Sequence, residues 1–131
     1  MKKRVLAFLL VLVLSFSCFS FTAFAATSYT SSLAFQGEHT GATRSYTGTD
    51  MHWRGSTYTQ YQGPAMPTEF SVSLYRKNFI GTSLIGTVVR PREGYHNVTW
   101  SNVGSGNYYF YYNKARDGAN VLSDAITTSM S

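Results

Sequence analysis

VTWSNVGSGNYYFYYNK, residues Val98 to Lys114, is the stretch whose reading decides the fold. Val98 and Trp100 stand two residues apart, so an extended backbone points both to one face. Gly104-Ser105-Gly106 then interrupts the apolar run. Beyond it Tyr108, Phe110 and Tyr112 share one face, and Tyr109 and Tyr111 share the other. Aromatic side chains at this density fit a pleated strand and lose rotamer freedom in a helix. The spacing therefore predicts two strands on either side of a glycine-rich break.

The step Gly106-Asn107-Tyr108 resembles the tyrosine corner of immunoglobulin-like sandwiches, in which a buried ring returns its hydroxyl to nearby backbone. The resemblance implies a buried Tyr108, and Gly106 is expected at positive φ. The wider run is also similar to the penultimate strand pair of bacterial prepeptidase C-terminal domains. It covers about 17 residues, and the acidic metal-binding loops of those modules have no counterpart that can be placed here. The resemblance implies a fold and carries no function with it.

Residues 1–25 have the three parts of a secretory signal. Lys2, Lys3 and Arg4 form a cationic start, Val5 to Val13 is almost wholly aliphatic, and Ala23-Phe24-Ala25 fits small-x-small cleavage. Cleavage after Ala25 is expected to leave residues 26–131 as one domain. The alternatives are an uncleaved anchor and lipidation at Cys18. Ser, Cys and Thr inside the apolar run weigh against the anchor, and Ser15-Phe16-Ser17 is a poor lipidation lead.

Removing the leader changes the charge argument. The chain carries a net +5, but three of its eleven basic residues lie in the signal. The remainder keeps eight Lys and Arg against six Asp and Glu, a net charge of about +2. Nucleic-acid binding needs a clustered basic face, so no nucleic-acid partner is expected. Arg76-Lys77, Arg90 with Arg92, and Lys114 with Arg116 read as solvated turn charges. Cys18 is the sole cysteine and leaves with the signal. A disulfide-free exported domain of 106 residues is long enough to hold one core and suits a bacterial source.

Along the rest of the chain, Tyr29, Ser31, Leu33 and Phe35 alternate with polar residues and predict a strand. A turn is expected at Gly37–Gly41, a strand near Ala42–Thr47 and a turn at Gly48–Asp50. Met51–Arg54 and Ser56–Gln62 read as two strands pairing across Gly55. Gln62-Gly63-Pro64-Ala65-Met66-Pro67 is the clearest break, expected to cross between two sheets. Phe70, Val72 and Leu74 alternate in the next strand, and Leu84–Arg90 follows it. Arg90-Pro91-Arg92-Glu93-Gly94 is a tight turn, after which Tyr95–Trp100 is expected to return antiparallel. Tyr108–Lys114 and Asn120–Thr128 read as a last hairpin around Arg116-Asp117-Gly118. No helical period follows the signal. The fold class is therefore all-β: one small antiparallel β-sandwich of about seven to nine strands, immunoglobulin-like or jelly-roll-like.

Enzyme motifs are absent: there is no thiol nucleophile after the signal, Gly-x-Ser-x-Gly elbow, phosphate loop or His-Glu-x-x-His. The acids Glu38, Asp50, Glu69, Glu93, Asp117 and Asp124 are scattered. His39, His52 and His96 show no converging metal-ligand spacing, so neither metal nor cofactor is expected. What the composition leaves unexplained is its aromatic surplus. If Tyr108, Phe110 and Tyr112 face the core, Tyr109 and Tyr111 face outward. Trp53, Tyr58, Tyr61, Tyr75 and Tyr95 lie in or beside polar loops. Exposed Tyr and Trp offer apolar faces with a polar edge, suited to sugar rings or a protein interface. The bland alternative is cross-strand tyrosine pairing that only stabilises the sheet.

The expectation is a secreted, non-catalytic, monomeric binding module, extracellular or cell-wall associated, taking a cell-envelope glycan or an extracellular protein through those seven residues. It meets a membrane only through its signal. The competing readings are a matrix protein assembling through sheet edges near Tyr29 and Ser56, and a secreted inhibitor or antibacterial factor.

Overall fold

The computed structural model describes residues 28–60 and 69–131. The signal segment, Tyr61 and the Gln62–Pro67 break lie outside them. Eleven strands form two antiparallel sheets, and no helix occurs among the described residues.

The first sheet is built around β5 (Met51–Gln60), flanked on one side by β8 (Gly94–Trp100). On its other side β11 (Ile126–Met130) pairs the first half of β5 and β10 (Asn120–Ser123) the second. β1 (Ser28–Ser31) lies outside β11, and β2 (Ala34–Phe35) outside β10. The second sheet is built around β9 (Gly106–Asn113) in the same way. β6 (Glu69–Lys77) pairs one side of it and carries β7 (Thr82–Pro91) at the edge. The other side takes β3 (Glu38–Thr40) and β4 (Arg44–Tyr46), one beyond the other.

The alternation read from the sequence sets the core. Tyr108, Phe110 and Tyr112 are buried, whereas Tyr109 and Tyr111 are only half-buried. From β6, Phe70, Val72 and Leu74 turn inward; from β5, Met51 and Trp53; from β8, Val98 and Trp100. Two buried hydrogen bonds tie the sheets across this core. Trp53 Nε1 donates to the Tyr112 hydroxyl at 2.9 Å, and the Tyr46 and Thr128 hydroxyls meet at 2.7 Å. Unmade, each would leave a polar group stranded among aromatic rings.

Several local expectations are corrected. β5 is one continuous strand. Gly55 is needed within it because a Cβ there would strike Ile126 Cδ1 and lie 2.9 Å from the Ala125 carbonyl. It seats the break between β10 and β11. The predicted turn at Gly37–Gly41 contains β3, and the predicted strand at Tyr29–Gln36 divides into β1 and β2, which pair different partners. β8 does not return along β7. It pairs β5, because that register turns His96, Val98 and Trp100 into the core. Likewise β9 and β10 lie in different sheets, so the Asp117-Gly118 segment is a corner between layers and not a hairpin. β5 and β6 also lie in different sheets, as the expected crossover requires.

The tyrosine corner is present. Tyr108 is fully buried, and its hydroxyl lies 2.7 Å from the Val103 carbonyl and 2.6 Å from that of Gly104. Gly106, however, does not take positive φ. Asn102 (φ 57°) and Gly104 (φ 75°) make the left-handed steps. Gly106 is constrained by space instead, since a Cβ would stand 3.1 Å from the Arg76 guanidinium. Replacing Tyr108 by Phe keeps the ring and removes the donor. The expected cost is about 1–2 kcal/mol in urea unfolding, and unchanged stability would contradict the corner's role.

Candidate functional site

The register fixes which side chains share the outer face of the second sheet. Across β7, β6, β9 and β3, one row runs Leu84, Tyr75, Tyr109, the next Thr87, Ser73, Tyr111, Thr40, and the next Val89, Ser71, Asn113, Glu38. Tyr75 and Tyr109 stack offset-parallel, with centroids 5.2 Å apart and planes 4° apart. Tyr111 meets Tyr75 edge-on at 6.3 Å. Ser73 sits between them and shares a hydrogen bond of 2.7 Å with Thr87. Partial burial and then the Glu38 carboxylate raise the Tyr111 phenol above its ordinary pKa, so it stays a neutral donor. The charges placed on this face are Lys77 at one end and Glu38 and Glu69 at the other. Between them lie aromatic rings, hydroxyls and amides.

Of the seven residues expected to bind, Tyr75, Tyr109 and Tyr111 are brought together here. Tyr58 and Tyr95 are exposed on the outside of the opposite sheet, where Tyr95 pairs Ser56, two residues before Tyr58. They are no part of the cluster. Trp53 is a correction: it is fully buried against Phe70, His96 and Tyr112. Its apparent loop position came from breaking β5 at Gly55. In an unbroken strand, Met51, Trp53, Gly55 and Thr57 all face inward.

Two features escaped the sequence reading. Five large apolar side chains of the β6–β7 hairpin are exposed: Phe79, Ile80, Leu84, Ile85 and Val89. An apolar pair between Asn78 and Gly81, both turn formers, was the available signal. The second is an ion cluster in place of two supposed solvated turn charges. Arg92 and Lys114 are buried and converge on Asp117, at 2.6 and 3.1 Å. Arg92 also donates to the Glu69 carbonyl at 3.1 Å, and Lys114 to that of Ala115 at 3.0 Å. Both residues sit where the chain changes sheets, so their side chains turn into the corner. Arg76 is likewise engaged, donating to the Val103 and Ser105 carbonyls.

Burial alone would raise the Asp117 pKa, but hydrogen bonds from Arg92, Lys114 and the Ala119 amide outweigh it and hold the carboxyl well below its usual range. His96 moves down for a different reason. Its ring is buried between Trp53 and Phe70 and bonded to Thr57 at 2.7 Å, with Arg90 opposing its charge. His52 has both ring nitrogens within hydrogen-bonding distance of hydroxyls, those of Thr99 and Ser131. Among the described residues no three His, Cys, Asp or Glu side chains gather closely enough to hold a metal ion.

No protein family and no curated protein matches the chain. Solved structures similar to it are distant. PliG from Aeromonas hydrophila, a periplasmic inhibitor of g-type lysozyme, shares 13% identity over 79% of this chain and 86% of its own, at a TM-score of 0.45. The Yersinia pseudotuberculosis-derived mitogen shares 12% over the same fractions, also at 0.45. The CBM36-1 domain of a multidomain xylanase from the hindgut metagenome of Trinervitermes trinervoides shares 17% over 84% of this chain and 92% of its own, at 0.42. These similarities transfer neither ligand nor activity.

The lowered pKa values of His96 and Asp117 both make stability fall in acid. A lowered folded pKa means the unfolded chain takes up the proton first, so the stabilisation is complete above the ordinary pKa and lost as pH falls through the folded one. For His96 the loss begins below its ordinary value of 6.5, and for Asp117 below 3.8. Urea midpoints should therefore drop between pH 7 and 5 and again below about 4. His96→Gln should flatten the first step. Asp117→Asn should abolish the second and lower the midpoint at pH 7 as well. Profiles parallel to wild type would contradict both assignments.

Proposed function

We propose that this protein is a non-catalytic binding module that lays an uncharged glycan strand over the outer face of the second sheet. The observation that carries this reading is the contact cluster of Tyr75, Tyr109 and Tyr111, set among Thr40, Ser71, Ser73, Thr87 and Asn113. A neutral polysaccharide presents apolar C–H faces and a rim of hydroxyls. The first suits aromatic surface and the second suits hydroxyl and amide partners. The charges sit at the ends of the face, so affinity comes from stacking and hydrogen bonding rather than from ion pairing. Tyr75 and Tyr109 cover part of each other by stacking, which holds both rings in place before a ligand arrives and lowers the ordering cost.

Binding without catalysis fits the placement of the acids. Asp117 belongs to the ion cluster, and Asp50 caps the amide of Asn102 at 2.8 Å. Glu38, Glu69, Glu93 and Asp124 are exposed. The secretory signal expected at residues 1–25 would deliver such a module to the cell envelope, where glycan is abundant.

Co-sedimentation of the purified protein with insoluble cell wall and a panel of neutral polysaccharides tests the reading. Binding should survive 0.5 M salt, taken as about 4 Å of Debye screening. Tyr109→Ala with Tyr111→Ala should weaken it by about tenfold or more, equivalent to roughly 1.4 kcal/mol, while leaving the fold intact. Binding abolished by salt, or indifferent to the double substitution, would overturn the assignment.

A further inference from the structure

The β6–β7 hairpin is exposed far beyond what a sandwich edge requires. Every residue from Lys77 to Ile85 is solvent-exposed. Phe79 and Ile80 stand at the tip at 103% and 89% of full exposure, and Leu84 and Val89 are each 55% exposed. The turn is held by the Asn78 amide on the Gly81 carbonyl at 2.9 Å, so the tip is a formed structure. β7 runs for ten residues, and among the described residues it pairs only β6, leaving its outer row of backbone groups without a strand. From Asn78 to Val89 the chain has no charged residue. Exposed edges are normally blunted by short length, charge or proline. The others of this sheet, β3 and β4, are three residues each. β7 has a bulge opposite Leu74 and Tyr75 and Arg90 and Pro91 at its end, but no charge from Thr82 to Val89.

We propose that β7 pairs with β7 of a second copy of this chain, antiparallel about a two-fold axis, making one continuous sheet from two sandwiches. The edge is complementary to itself in charge. Antiparallel pairing sets an uncharged segment against the same uncharged segment, and a register centred near Gly86 places Arg90 beside the neutral Thr82 of the mate. The same register brings the outward-facing Leu84 of one copy diagonally toward the outward-facing Val89 of the other, and brings Phe79 and Ile80 past the far end of the mate's strand. A charged partner would meet no opposite charge from Thr82 to Val89, whereas a second copy covers the apolar side chains and the bare backbone together. The contact is isologous, so it closes at two copies. This replaces the monomer expected from the sequence. With the axis normal to the sheet, both tyrosine clusters lie on one side, and if the glycan reading holds, the dimer binds one strand at two points. The pairing itself does not depend on that reading.

Sedimentation equilibrium of the full chain from about 1 μM to about 0.5 mM tests the proposal. A concentration-dependent dimer is expected, weakened at least about 30-fold by Leu84→Lys with Val89→Lys at unchanged thermal stability, since both positions are exposed. Mixing that variant with one carrying Leu84→Glu and Val89→Glu should restore a one-to-one heterodimer. Should the lysine variant fail to fold, amide exchange of the wild type decides: β7 amides should gain protection as concentration rises. A monomer at every concentration, an open-ended polymer, a dimer indifferent to the lysines, or β7 exchange independent of concentration would overturn it. A wild-type chain that binds glycan but never dimerises would refute the pairing alone, and one that dimerises without binding glycan would refute the glycan reading alone.

Discussion

The hydrogen bond from the Trp53 indole to the Tyr112 hydroxyl fixes how the two layers face one another. It joins the central strands of both sheets and is buried among core side chains. Burial pushes the Tyr112 phenol above its ordinary pKa, against the indole bond, which lowers it, so the hydroxyl stays protonated. Because side chains alternate along a strand, placing Tyr112 inward sends Tyr111 and Tyr109 outward. A slip of one residue would reverse the set, exposing three core rings and burying two phenols without partners. The outer tyrosine face is thus a consequence of the inner one.

The ion cluster acts at the corner where the chain changes sheets. Asp117 draws Arg92 from the β7–β8 corner and Lys114 from the end of β9 into a single buried contact. Removing one partner would leave buried charge uncompensated, which is far costlier than losing an exposed pair. With Arg92, Lys114 and Arg76 engaged in structure, the modest positive charge of the chain is not offered to ligands as a patch. The face that remains open is nearly neutral, aromatic and hydroxyl-rich.

Much of the fold was legible because β9 alternates without ambiguity and five consecutive aromatic residues suit no other element. Tyr108 was readable from its glycine-rich approach, and the outward pair Tyr109 and Tyr111 from period alone. Pairing was not legible. Nothing local in Pro91–Gly94 says that β8 leaves the sheet of β7, since that choice depends on β5 offering a register in which Val98 and Trp100 turn inward. Trp53 was misplaced for a related reason. Gly55 looks like a break in sequence, whereas in space it is a gap left for Ile126. Arg92 and Lys114 read as solvated because charge near a turn usually is. Only their convergence on Asp117, a contact between corners, makes burial favourable.

Coupling between the two sheets runs through Trp53 and Tyr112, and a double-mutant cycle measures that coupling directly. Trp53→Phe, Tyr112→Phe and the double variant would be unfolded in urea alongside wild type. Each single variant strands one polar partner, and the double strands neither. The account predicts a coupling energy of about 1–2 kcal/mol, with the double variant losing less than the two singles together. Strictly additive losses would contradict it, and with it the claim that this bond sets which tyrosines face outward.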